Sequence, residues 1–194
     1  MSGFEFFFSF YGLLLGFSVA EVTGGLASAI NLRQRVRLGW LTPLLSVFIM
    51  IDIMSFWLFA WANREGVTIG WSSMTSGLFV AVTYYLAASL VYPKDWSEYE
   101  DLDQHYWAQK RLIVAGLALT NLVVLCYTLV RFPAQLTDWS FFFWQSLYWV
   151  PLIGLLFTRS TKLDIALLLA LIGQYLLFAL NLFPRSSWGA AIGI

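Results

Sequence analysis

Two acidic residues lie within long apolar runs, and they are the side chains of this sequence best placed to do chemistry. Glu21 belongs to the first run and Asp52 to the second, each near the middle of its run. A carboxylate at membrane depth costs about 3 kcal/mol on insertion scales, so it usually faces protein, water or a counter-charge. Intramembrane acids often handle protons or cations, and this is the first role that we expect for Glu21 and Asp52.

Two further roles stay open for these acids. They could hydrogen-bond as protonated structural groups, or they could contact a partner subunit or a lipid headgroup. Because no Lys or Arg lies at mid-depth in any run, we do not expect ion pairs inside the membrane. The partners must then be neutral side chains, water, an ion or another chain. Glu21 and Asp52 lie at similar depths, which leaves a shared site open.

The composition predicts the class of the protein that must position these acids. Of the 194 residues, 60% are hydrophobic and 11% are charged, whereas a soluble domain carries about 25% charged residues. The chain is therefore expected to be an all-α integral membrane protein. Its net charge is zero, which gives no reason to expect a nucleic-acid partner.

Six apolar runs are long enough to cross a bilayer, since a helix needs about 20 residues to do so. Backbone groups in lipid must pair within the segment, so each run is predicted to be a helix. All six form one domain, and the longest connection joins the third and fourth runs at 93–110. The predicted spans are 4–30, 40–62, 67–92, 111–132, 139–158 and 163–183.

The basic residues predict the orientation of these spans. Eight Lys and Arg residues lie in the connections that follow the odd-numbered spans, and three lie on the opposite side. Because cytoplasmic connections carry the excess of positive charge, both termini are expected on the non-cytoplasmic side. We expect a bacterial inner membrane as the location.

The third run is the most polar and could form one wall of a path. Ser72, Ser76 and Thr83 fall on one helical face, and Tyr84 follows directly. Hydroxyl groups can also bond back to their own helix, so simple packing is the alternative.

Small residues recur every fourth position in the first run. Gly12, Gly16, Ala20 and Gly24 form a stripe that lets another helix approach closely. Either a helix of the same chain packs there, or the stripe is the interface of a homo-oligomer or a partner subunit. Glu21 flanks this stripe and need not face lipid.

The connection 93–110 gathers five carboxylates and His105, the only histidine. Asp101 and His105 stand four residues apart, which makes them weak candidates for a metal-ligand pair if the segment is helical. The segment lacks the glycine and the final glutamate of an EF-hand loop. With one histidine and one cysteine, we expect no haem, no other cofactor and no enzymatic activity.

The leading hypothesis is a small channel or transporter. Its intramembrane carboxylates would handle protons, a cation or a small polar solute. The alternative is a non-catalytic subunit of a larger membrane complex. A third option, a sensor or lipid-binding module, would use the acidic connection as its output surface.

Overall fold

The computed structural model describes residues 3–64 and 70–180, and this part of the chain is helical with no strand. The predicted start of the third span at 67 and the end of the sixth at 183 lie outside these residues. Two short 3-10 helices, Trp96–Glu98 and Pro133–Thr137, lie in connections. The α-helices are α1 Gly3–Asn31, α2 Leu41–Ala62, α3 Trp71–Ser89, α4 Leu102–Arg131, α5 Trp139–Phe157 and α6 Thr161–Ala179.

Five of these helices are long and apolar enough to cross a membrane, and they make the chain a multi-pass membrane protein. The exception is α3, whose serine and threonine residues lower its apolarity. The largest difference from the predicted spans is in α4, which begins at Leu102 instead of residue 111. Asp101 caps this start, since its Oδ1 accepts from the Asp103 amide at 2.9 Å. Much of the predicted connection 93–110 is therefore helix.

The six α-helices pack against one another in a closed arrangement. Neighbours follow the order α2, α1, α3, α4, α5, α6 and return to α2, which also contacts α4. Helices α1, α4 and α6 therefore pack directly against α2.

A clasp joins the α1–α2 and α3–α4 connections at one end of the bundle. The Arg37 amide donates to the Glu100 carbonyl, and the Leu102 amide donates to the Arg37 carbonyl, both at 3.0 Å. Gly39 makes the turn beside this clasp with a φ of 60°, and a Cβ there would lie 2.1 Å from Asp103 Oδ1. Only glycine fits this position.

Glycines also set the closest helix approaches inside the bundle. A Cβ at Gly25 would lie 2.2 Å from the Tyr92 ring, and one at Gly77 would lie 2.8 Å from the Phe7 ring. These contacts bring α1 against α3 and against the segment that follows α3. Gly12, where a Cβ would lie 3.1 Å from Trp57, is the member of the predicted stripe that packs inside the chain.

Candidate functional site

Asp52 lies near the middle of α2, and its side chain is 0% exposed. The helix is apolar along most of its length, so this carboxyl group is carried into the bundle among buried Phe48, Ile49 and Ile53. A buried carboxylate needs hydrogen-bond donors or a counter-charge to offset its lost hydration. Its surroundings provide the donors.

Four side chains from four other helices donate to Asp52. Oδ2 accepts from Tyr84 of α3 at 2.6 Å and from Asn121 of α4 at 3.3 Å. Oδ1 accepts from Tyr148 of α5 at 3.2 Å and from Tyr175 of α6 at 2.6 Å. Hydrogen bonds to a charged acceptor are the stronger kind. The five side chains, here called the Asp52 cluster, tie α2 to α3, α4, α5 and α6.

Further contacts fix the rings of this cluster. The Tyr84 ring packs edge-on against Phe56, with centroids 4.9 Å apart. Ser55 Oγ lies 3.3 Å from the Tyr175 hydroxyl oxygen. It donates to the backbone carbonyl of Asp52 at 2.7 Å. Because the rings are held by packing, their hydroxyl groups are directed at one point.

A cavity of about 260 Å³ adjoins the Asp52 cluster. It lies between the C-terminal halves of α2, α4 and α6 and the N-terminal half of α5. Its wall is mostly apolar, with Asn121, Tyr148 and Tyr175 of the cluster reaching it. Gln174 Oε1, also on this wall, is buried and accepts no hydrogen bond within the described residues. An apolar cavity with a few converging polar groups is the usual form of a small-molecule site.

A buried ion pair lies at the opposite end of the same helices. Lys110 Nζ of α4 is 2.6 Å from Asp164 Oδ2 of α6, and the two side chains are 2% and 0% exposed. Lys110 also donates to the Thr158 carbonyl at 2.7 Å, and Thr158 Oγ1 donates to Asp164 Oδ1. Tyr106 donates to Asp164 Oδ2 at 2.9 Å. This network joins the start of α4 to the α5–α6 connection.

The ion pair corrects two expectations from the sequence. Ion pairs inside the bundle were not expected, and Lys110 was assigned to the connection 93–110. It lies instead two turns into α4 with its ammonium group buried, beneath the Trp107 ring at 4.2 Å. The expectation considered mid-depth cations alone, and it missed the carboxylate in the first turn of α6.

Of the residues predicted to line a path, Tyr84 alone reaches Asp52. Ser72 and Ser76 are exposed on α3, where Ser76 Oγ donates back to the Ser72 carbonyl at 2.7 Å. Thr83 donates to the Phe79 carbonyl at 2.8 Å. The hydroxyl groups of Ser76 and Thr83 therefore bond back to their own helix.

Glu21 does not share a site with Asp52. It is exposed on the outer face of α1, on the side of the small-residue stripe. Ala20 is exposed beside it, and a Cβ at Gly16 or Gly24 would meet nothing within 4 Å. Apart from Gly12, the small-residue stripe therefore points away from the helices of its own chain.

Asp101 and His105, the weak candidates for a metal-ligand pair, each make another contact in the structure. Asp101 caps α4, while His105 Nε2 lies 2.9 Å from the Leu90 carbonyl oxygen. Within residues 3–64 and 70–180, no group of three or more His, Cys, Asp and Glu side chains could hold a metal ion.

Three members of the cluster, Asn121, Tyr148 and Tyr175, were not among the residues that the sequence predicted for the site. A signal was present for Tyr148, because tyrosines usually lie at the ends of membrane spans and this one lies at the middle of α5. The chain matches no protein-family model, no curated protein and no solved structure.

Proposed function

We propose that this chain is a small membrane transporter in which Asp52 binds a proton or a cation. The observation that carries the proposal is a fully buried carboxyl group, held by neutral donors from four helices, beside a cavity. Its donors within the described residues supply no positive charge. A proton or a cationic solute would neutralise the carboxylate, and the cavity is large enough for a small solute to approach it.

The bundle in this proposal has six spans, with both termini on the non-cytoplasmic side of a bacterial inner membrane. The position of α3 supports a sixth crossing, since it packs between α1 and α4 and supplies Tyr84 to the cluster. The excess of Lys and Arg in connections after odd-numbered spans supports the orientation.

Alternating access gives the arrangement a mechanism. The cavity lies on one side of Asp52, and the Lys110–Asp164 network lies on the other side, between the same helices α4 and α6. Asp52 would release its bound proton or cation into the cavity while the ion pair keeps the opposite ends of α4 and α6 in contact. Breaking the ion pair would let these helix ends separate. The proton or cation could then leave on the side of the Lys110–Asp164 network.

Proton flux in liposomes tests this proposal. The full chain is reconstituted with a pH-sensitive dye inside the vesicles, and a potassium diffusion potential drives the protons. We expect Asp52→Asn to reduce the flux at least tenfold, because the amide cannot release a proton. Glu21→Gln is the matched control, since it neutralises an acid at a similar depth on the outer face and should conduct like the parent.

The folding of each variant is checked by gel filtration before reconstitution. If Asp52→Asn is not monodisperse, Tyr175→Phe replaces it. That variant lacks the 2.6 Å hydrogen bond from Tyr175 to Asp52 Oδ1. We expect its loss to shift the pH at which flux is half-maximal. Flux in Asp52→Asn that equals the parent at every pH would contradict the proposal.

A second candidate function is that of an accessory subunit in a larger membrane complex. The outward-facing part of the stripe, Gly16, Ala20 and Gly24, favours it together with the exposed Glu21. Thr23 Oγ1 lies 3.8 Å from Met50 Sδ, which places Glu21 near the depth of Asp52. A carboxylate facing lipid there is costly, and a second copy or a partner subunit would cover it.

Native mass spectrometry from nanodiscs separates the two candidates. Masses that are multiples of 22.1 kDa favour a transporter acting alone or as a homo-oligomer. A stoichiometric foreign subunit favours the accessory role, and Gly16→Leu should then abolish its retention.

A further inference from the structure

The cavity beside Asp52 has a wall that is rich in aromatic rings. Eight of its nineteen lining residues are Phe, Trp or Tyr, and they come from α2, α5 and α6. These residue types make up 19% of the whole chain. Among the lining residues that the structure describes, none carries a formal charge. The cavity therefore combines an uncharged aromatic wall with a carboxylate that lies just behind it.

Several of these rings stand at steep angles to one another. The Tyr148 ring meets Tyr175 with centroids 6.4 Å apart and 77° between the planes, and it meets Trp149 at 5.9 Å and 87°. Trp144 lies one turn before Tyr148 on α5 and packs against Phe178 of α6 at 6.3 Å. Rings in such different orientations contact a bound group from several directions. Aromatic faces attract cations that lie within about 6 Å of the ring centroid.

Asp52 provides charge to the cavity without lining it. Its side chain is 0% exposed, whereas Tyr148 and Tyr175 both donate to it and line the cavity. The Tyr175 hydroxyl oxygen lies 2.6 Å from Asp52 Oδ1. A cation packed against the Tyr175 ring beside that hydroxyl would lie roughly 6–7 Å from the carboxylate. Because opposite charges still attract strongly at this separation in a low-dielectric interior, direct contact with Asp52 is not required.

The oxygen-bearing side chains of the wall are too few for a metal cation. Three of them, Asn121, Tyr148 and Tyr175, already direct a donor at Asp52. Gln174 Oε1 is buried beneath the surface of the cavity. Ser55 and Gln145 are the others among the described lining residues.

A hard cation such as Ca²⁺ takes about 6–8 oxygen ligands. A quaternary ammonium group carries no N–H and needs no oxygen ligand, and aromatic rings are its usual binding partners. The chemistry of the wall therefore favours this kind of cation.

The size of the cavity agrees with an organic cation. Its volume of about 260 Å³ equals roughly eight to nine water molecules at about 30 Å³ each. A proton or a single metal ion needs far less space. A compact organic cation, such as choline or tetraethylammonium, matches both the volume and the apolar wall.

We propose that this cavity binds a monovalent quaternary ammonium compound with a compact apolar body. Its methyl or methylene groups, over which the positive charge is spread, pack on the rings of Tyr148, Trp149 and Tyr175, while Asp52 balances the charge. The proposal deepens the proposed function and rests on it for the step that moves the cation across the membrane. Binding itself requires only the cavity and the charge.

Competition on the full chain tests the ligand class without any variant. Binding of radiolabelled tetraethylammonium to the protein in phosphatidylcholine nanodiscs is measured by equilibrium dialysis, with empty nanodiscs as the background. Choline and 3,3-dimethyl-1-butanol then serve as competitors, since they have the same shape and the alcohol lacks the charge. We expect choline to displace the label at a concentration at least tenfold lower than the alcohol, and potassium chloride at the choline concentration to displace none.

Three results from the parent protein would overturn the proposal. The first is the absence of saturable tetraethylammonium binding at millimolar concentrations. The second is equal displacement by choline and 3,3-dimethyl-1-butanol, because the site would then recognise shape alone. The third is equal displacement by choline and potassium chloride, because the site would then recognise charge alone.

Two variants separate the contributions of charge and rings. Asp52→Asn removes the charge and should weaken tetraethylammonium binding at least tenfold. Trp149→Leu keeps an apolar side chain but removes a ring, and it should weaken binding about 3- to 30-fold. Trp139→Leu is the matched control on the same helix and should bind like the parent, because that ring is 77% exposed and does not line the cavity. Unchanged binding in Asp52→Asn would overturn the proposal.

The proton-flux assay on the same preparations distinguishes this proposal from the transport proposal. Flux that depends on Asp52, in a protein that does not bind tetraethylammonium, would overturn the quaternary ammonium site and leave proton transport standing. Binding that depends on Asp52, with equal flux in Asp52→Asn and the parent, would support the site and contradict transport. We expect both to depend on Asp52. Labelled tetraethylammonium should then enter liposomes preloaded with choline through the parent protein and not through Asp52→Asn.

Discussion

Replacing Tyr84 by phenylalanine removes one hydroxyl group from the Asp52 cluster and leaves the aromatic ring in place. That hydroxyl donates to Asp52 Oδ2 at 2.6 Å, while the ring packs edge-on against Phe56. We expect the ring contact to survive. The loss is then one short hydrogen bond to a buried charged acceptor.

The size of this loss follows from two ranges. A hydrogen bond to a charged group contributes about 1.5–3 kcal/mol in soluble proteins. Hydrogen bonds between membrane helices average about 0.6 kcal/mol, with a maximum near 1.7. Because Asp52 is fully buried and the bond is short, we expect Tyr84→Phe to lower the free energy of unfolding by about 1–2 kcal/mol. This is roughly a 5- to 30-fold change in the unfolding equilibrium.

Steric trapping of the purified chain in lipid bicelles measures this free energy. Tyr85→Phe is the matched control, since the neighbouring ring is 43% exposed and its change should stay within about 0.5 kcal/mol. The double variant Asp52→Asn/Tyr84→Phe tests the coupling, because Tyr84→Phe should cost less once the charged acceptor is gone. Effects of the two substitutions that add to within about 0.3–0.5 kcal/mol would refute the reasoning.

Two further predictions use the same unfolding measurement. Gly25→Ala should lower the free energy of unfolding by about 1–3 kcal/mol, because its Cβ would lie 2.2 Å from the Tyr92 ring. Gly24→Ala should raise it by about 0.5–1 kcal/mol, since its Cβ meets nothing within 4 Å and alanine favours helix; a common sign for the two would contradict this account. Lys110→Met should cost about 3–5 kcal/mol by leaving the buried carboxylate of Asp164 without its counter-charge. Adding Asp164→Leu should restore most of that loss, and a double variant as unstable as Lys110→Met would show that the ion pair is not the cause.

The helices themselves could be predicted because apolar runs of span length leave the backbone no alternative to helix in lipid. The start of α4 could not be predicted, because the nine residues from Leu102 to Lys110 are polar enough to resemble a connection. They are helical because Asp101 caps them and because Leu102, His105 and Tyr106 are buried against the bundle. Local apolarity does not report such burial.

The residues of the site could be predicted from the sequence only in part, for a related reason. Asp52 stands out in any apolar run, and Tyr84 was identified among the hydroxyl groups of α3. Tyr148 and Tyr175 depend on which helices are neighbours and how each is rotated about its axis. A helix that is apolar on every side carries no periodic signal for that rotation. For the same reason the direction in which Glu21 points could not be predicted. The structure places it on the outer face of α1.

Asp52 is synthesised before every side chain that donates to it. Tyr84 follows 32 residues later, and Tyr175 follows 123 residues later. At about 5–20 residues per second, roughly 6–25 s separate the synthesis of Asp52 from that of Tyr175. During that interval α2 carries its carboxylate without a complete set of donors. The set of donors to Asp52 is therefore complete only after α6, the last of these helices, has been synthesised.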